Sequence, residues 1–132
     1  MKLGGAAPAR RVSKISPESI IAGVVLCFTV TLLSAGALTV VLLLTPMTEK
    51  ALPPVVTVVG ALSIFAGGFA SGRKSGGLGW VHGGVAGVVY TVACYLLGLL
   101  VFPELMPVSL LARRLVLGFG IGLVGGIAGV NF

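Results

Sequence analysis

Charge is what this sequence has least of: 9% of its residues are Asp, Glu, Lys or Arg, with three acids and one histidine. The acids are Glu18, Glu49 and Glu104, so its long apolar runs hold no carboxylate, no lysine and no nucleophile beside a base. Enzymatic chemistry needs such a constellation, and the chain is therefore expected not to be an enzyme. A zinc site generally takes three or four ligands, and His82 has no acidic or second histidine partner near it in sequence, so interfacial hydrogen bonding is its expected role rather than metal binding or proton relay. No metal and no cofactor is expected. Cysteine is scarce too. Cys27 follows Leu26, where a lipoprotein signal requires a small residue, and helix geometry sets Cys27 and Cys94 roughly 10 Å apart in depth, which argues against a disulfide within one subunit.

What the chain has in excess is hydrocarbon. With 57% apolar residues and a mean hydropathy of +1.17 over 132 residues, it reads as an all-α integral membrane protein with room for four spans of about 20 residues and no soluble domain. A formal charge of +6 would suggest nucleic acid in a soluble protein. Here the cations flank apolar runs, where they orient helices and meet anionic headgroups, so the bilayer is the expected partner and nucleic acid is not.

Residues 1–19 read as a basic cytoplasmic tail carrying Arg10, Arg11 and Lys14. Ser16-Pro17-Glu18 is a helix start, with a hydroxyl to cap amide protons, a proline at the first helical position and an acid at the positive dipole end. The first span, residues 20–44, is 25 residues without a charge, roughly 37 Å as helix. It contains Ala35-Gly36-Ala37, a cleavage-like pattern, but the apolar run continues through Leu44, so the span is expected to stay attached. Proline-rich loops at residues 45–54 and 102–111 separate it from spans at 55–72, 78–102 and 115–132. Arg73 and Lys74 end the second span and Trp80 opens the third, residue types that sit at headgroup level. Counting Lys2, Arg10, Arg11, Lys14, Arg73 and Lys74 on one side against Lys50, Arg113 and Arg114 on the other, the positive-inside bias puts both termini in the cytoplasm. Arg113 and Arg114 then lie outside, paired with headgroups or with Glu104 and Glu49, or else forming a vestibule that attracts anions.

Glycine gives the spans their internal pattern. Nine of the 21 glycines fall between Gly67 and Gly87, on either side of the basic turn, so that stretch reads as the inner turn of a helical hairpin. Gly68 and Gly72, then Gly79, Gly83 and Gly87, then Gly118, Gly122 and Gly126 recur every four residues, leaving bare faces on which helices approach closely. These are the expected packing positions of a four-helix transmembrane bundle, within a subunit or between subunits of a homo-oligomer, or against another membrane protein. Gly120 to Gly125 also matches the dinucleotide fingerprint G-x-G-x-x-G, but without a preceding strand or an acid about 20 residues on it implies no cofactor. Gly67-Gly68-Phe69-Ala70 is echoed by Gly125-Gly126-Ile127-Ala128, as glycine enrichment alone would produce.

The segments Ala66-Gly67-Gly68-Phe69-Ala70-Ser71-Gly72-Arg73-Lys74, Gly79-Trp80-Val81-His82-Gly83 and Gly125-Gly126-Ile127-Ala128-Gly129-Val130-Asn131 resemble the YrzE-like membrane proteins of Gram-positive bacteria, over nearly the whole chain. The resemblance implies four transmembrane helices in a bacterial inner membrane and no assigned activity. Small multidrug transporters, similar in size, depend on a glutamate in the first span, and residues 20–44 have none. The expected role is structural or partner-binding; the alternative is a small oligomeric channel or carrier.

Overall fold

Prolines set where the helices of this chain begin. In the computed structural model, which describes residues 15–46 and 48–132, helix α1 (Pro17–Leu44) starts on Pro17, α2 (Leu52–Ser75) carries Pro53 in its first turn, and α4 (Val108–Asn131) follows Pro107. Proline fixes φ at a helical value and lacks the N–H that a first turn leaves unpaired. Helix α3 (Gly79–Val101) follows α2 after a tight turn at Gly76–Leu78. Gly76 stands at φ +64°, the left-handed conformation that closes a helix C-terminus, where a side chain would be strained.

Two expectations at helix starts are corrected. The Ser16 hydroxyl caps no amide; it shares a 2.8 Å hydrogen bond with the Ser19 hydroxyl, while Ser19 N–H donates to the Ser16 carbonyl at 3.1 Å. Helix α4 begins at Val108 rather than at Leu115, so Arg113 and Arg114 lie inside it. The apolar run marks where hydrocarbon contact begins, but arginine is a good helix former, and the helix runs on beyond that boundary. In the same way α2 extends through Arg73 and Lys74 to Ser75.

Successive helices run in opposite directions. The α2–α3 turn, the start of α1 and the end of α4 meet at one end of the bundle, where Ser16 bonds to His82 and Val130 lies beside Gly79. The two longer connections are at the other end. These are called the turn end and the loop end below. Helices α2 and α3 pack on each other, α1 and α4 each pack on both, and α1 does not touch α4.

Small residues fill most of the helix contacts, with His82, Ile64, Tyr90 and Tyr95 as the large buried exceptions, and large apolar residues cover the exterior. Every buried residue of α4 is a glycine (Gly118, Gly122, Gly125, Gly126 and Gly129), whereas Leu43, Leu44 and Leu100 are at least 80% exposed. In water that surface would drive aggregation. In a bilayer, whose hydrocarbon core is about 30 Å thick, it is the solvated surface, because lipid tails are as apolar as leucine. All four helices are long and apolar enough to cross.

Candidate functional site

The most constrained region is a glycine seam in the turn-end half. A methyl group added to Gly68 would lie 2.6 Å from the Gly122 carbonyl oxygen, and one on Gly83 would lie 2.6 Å from the Gly126 Cα. Gly72 and Gly79 both face Gly126, and Gly87 faces Gly118 and, across from α2, Ile64. Helix α4 thus lies in the groove between α2 and α3 with backbone against backbone, at distances only glycine allows. Dispersion and weak Cα–H···O contacts are what such proximity supplies where no hydrophobic force acts between helices.

The seam is wider than the spacing of the predicted glycines suggests. Gly125 and Gly129 form a second α4 face against the backbone of Phe65 and Phe69. On α1, a methyl group on Gly23 would lie 2.7 Å from both the Gly67 carbonyl oxygen and the Ser71 Cβ. The signal for α1 was present in the sequence: Ser19, Gly23 and Cys27, its buried residues, recur every four positions. The Ser71 hydroxyl on the opposing face is buried without a hydrogen-bond partner.

His82 closes the turn end. It is fully buried; its Nε2 accepts the Ser16 backbone N–H at 3.0 Å, and its Nδ1 lies 3.0 Å from the Leu78 carbonyl. Since Nε2 must accept, Nδ1 carries the proton and donates it to Leu78. The ring is a clamp between α3 and the start of α1. Among the described residues no group of three His, Cys, Asp or Glu side chains could hold a metal ion.

The loop-end half is open by contrast. Gly36 and Gly60 have nothing within 4 Å of an added methyl group. All four helices there line a cavity of about 300 Å³, with Thr31 and Tyr90 low on its wall and Arg114 high on it. Thr31 donates its hydroxyl proton to the Cys27 carbonyl at 2.8 Å, so the 2.7 Å contact with Tyr90 is donated by the phenol. Phe28 packs edge-on against Tyr90, with ring centroids 5.1 Å apart. Both cysteines are free, but Cys94 packs against the cluster of Cys27, Ile64 and Tyr90, so the two thiols share one neighbourhood instead of lying at well-separated depths. Because α1 starts at Pro17, Cys27 is ten residues into the helix, deeper than a span counted from residue 20 places it.

Arg73 and Lys74 are exposed at the turn end, and Trp80 beside them is half exposed. Arg113 and Arg114 are exposed on the loop-end part of α4. No ion pair joins either of them to Glu49 or Glu104 among the described residues. Arg10, Arg11 and Lys14 lie outside the described residues.

Four antiparallel helices of membrane-spanning length, apolar outside and joined by glycine within, define a multi-pass membrane protein. The chain belongs to the family described as Protein of unknown function (DUF3792), which matches residues 16–129. It is 32% identical over 115 residues to the Uncharacterized membrane protein YrzE of Bacillus subtilis (strain 168), a match covering 86% of this chain and 75% of that protein. The family likeness carried by the glycine motifs is thus shown, and neither name specifies an activity. No solved structure matches the chain significantly.

Proposed function

We propose that this is a non-catalytic protein of the bacterial cytoplasmic membrane that acts by binding within the bilayer, with both termini on the cytoplasmic side. What supports the non-catalytic reading is how its buried polar groups are engaged. The Ser63 hydroxyl donates to the Val59 carbonyl, Thr91 donates to Gly87, and the His82 ring holds backbone groups. None of these is paired as nucleophile and base. Because the ridges of α3 and α4 are covered within one chain, a second copy or another membrane protein would meet the bundle elsewhere. The surface that fits is the loop-end half of α1, which buries nothing beyond Cys27.

Mass determination in mild detergent, with cysteine crosslinking at Leu33, tests the binding reading. An assembly larger than one chain that crosslinks through Leu33→Cys is expected; a monomer without crosslinks, together with no co-purifying membrane protein, overturns it. Reporter fusions at Gly76 and Phe132 test orientation, and a periplasmic-type reporter active at either site overturns the proposed topology. A small carrier or channel is the second reading, favoured by the loop-end cavity; ion flux in liposomes tests it.

A further inference from the structure

We propose that the loop-end cavity is a binding site for a single-chain anionic amphiphile, with its acid group on Arg114 and its apolar body between the four helices. Size, polarity and placement of charge argue for this together. At about 300 Å³ the cavity lies at the lower end of the range for small-ligand sites, roughly 300–1,000 Å³. A water molecule takes about 30 Å³ of liquid, so the space holds on the order of ten heavy atoms. That admits one short chain and excludes a two-chain phospholipid.

The wall carries charge at one end only. Val56, Leu38, Ala61 and Leu117 contribute apolar surface, and Arg114 is the only charged residue of the lining. It is the seventh residue of α4, roughly 9 Å from the helix start and immediately before the uncharged run that begins at Leu115, so the lining's one cation lies toward the loop end. Arg113, its neighbour, does not line the cavity. Deeper in the cavity the hydroxyls offer an anion nothing: Thr31 donates to Cys27, Thr91 to Gly87, and Tyr90 to Thr31, while Thr57 donates to Pro53 and Ser34 is left as an uncharged donor of the lining. The engaged hydroxyls present acceptor lone pairs, which repel an anion. The acid must therefore sit at Arg114, with the chain directed toward Thr31 and Tyr90. Carboxylate and phosphate monoester heads share this chemistry.

The test is photolabelling of the full-length protein in neutral-lipid nanodiscs with decanoate carrying a terminal diazirine, with mapping of the labelled residues. Label that saturates and maps to Tyr90, Thr31 or Ile121 is expected. Arg114→Gln should weaken labelling by about tenfold to a hundredfold, the range for losing a hydrogen-bonded charge partner, whereas Arg113→Gln should leave it within about twofold. Decyl phosphate competing better than decanoate would identify the head as phosphate, and the reverse as carboxylate; decanol should compete poorly with either. Ala61→Leu, which fills the cavity without touching the charge, should also reduce labelling. Non-saturating label spread over outward-facing Leu32 and Leu43, or equal behaviour of the two arginine variants, overturns the proposal.

Discussion

The two halves of this bundle are made from the same four helices, yet they are packed by opposite rules. Toward the turn end, glycines of α2, α3 and α4 bring backbones into contact, and Gly68, Gly72, Gly83 and Gly126 have no room for a methyl group. Toward the loop end, Gly36 and Gly60 face open space, and a cavity reaches in among Thr31, Tyr90 and Arg114. Glycine content alone therefore does not mark packing in this membrane protein; what matters is whether glycines recur at spacing four on faces that meet. The tight half fixes the helices relative to one another. The open half is where the proposed ligand or partner would sit.

That contrast is best broken by substitution. The largest effect is expected for Gly126→Leu, because Gly126 faces Gly72, Gly79 and Gly83 together; unfolding in detergent should show a loss of about 3 kcal/mol, the upper end of overpacking costs. His82→Ala should follow with about 1 kcal/mol, since it removes the hydrogen bond to the part-buried Ser16 N–H. Limited proteolysis should then show earlier cleavage around Ser16. Tyr90→Phe removes one hydroxyl donated to Thr31; hydrogen bonds between membrane helices average about 0.6 kcal/mol, and an equilibrium unfolding series of that resolution is the check. Gly36→Leu, on an open face, should change stability by less than about 0.5 kcal/mol in the same assay. A loss at Gly36 comparable to that at Gly126 would mean the loop-end half is covered by another chain.

The chain declares its class, its four helices and the seam between α3 and α4, because the hydropathy of a span and a four-residue glycine repeat are local signals. The seam between α1 and α2 was legible only as small residues: Ser19, Gly23 and Cys27 repeat as regularly as the glycines, yet two of the three carry side chains and sit in a long apolar run. His82 reads as an interfacial hydrogen-bonding residue; it does hydrogen-bond, but fully buried within the bundle, and its partner Ser16 lies 66 positions away, a separation no local pattern reveals. Of the cavity, the sequence suggests only an anion-attracting vestibule at Arg113 and Arg114, not its walls. The cavity results from the register of four helices and from where they fail to meet, which places Arg114 in one lining with Thr31 and Tyr90 from other helices.

The central claim is that contact, not glycine itself, makes the seam, and it is tested most directly on one helix. Gly120 and Gly122 are two residues apart on α4; an added methyl group meets nothing at Gly120, whereas one on Gly122 would lie 3.1 Å from the Gly83 carbonyl carbon. Gly120→Leu and Gly122→Leu should be unfolded side by side in the same detergent. The account predicts a loss of about 1–3 kcal/mol for Gly122→Leu and a change under about 0.5 kcal/mol for Gly120→Leu. Equal losses in the two variants would contradict it.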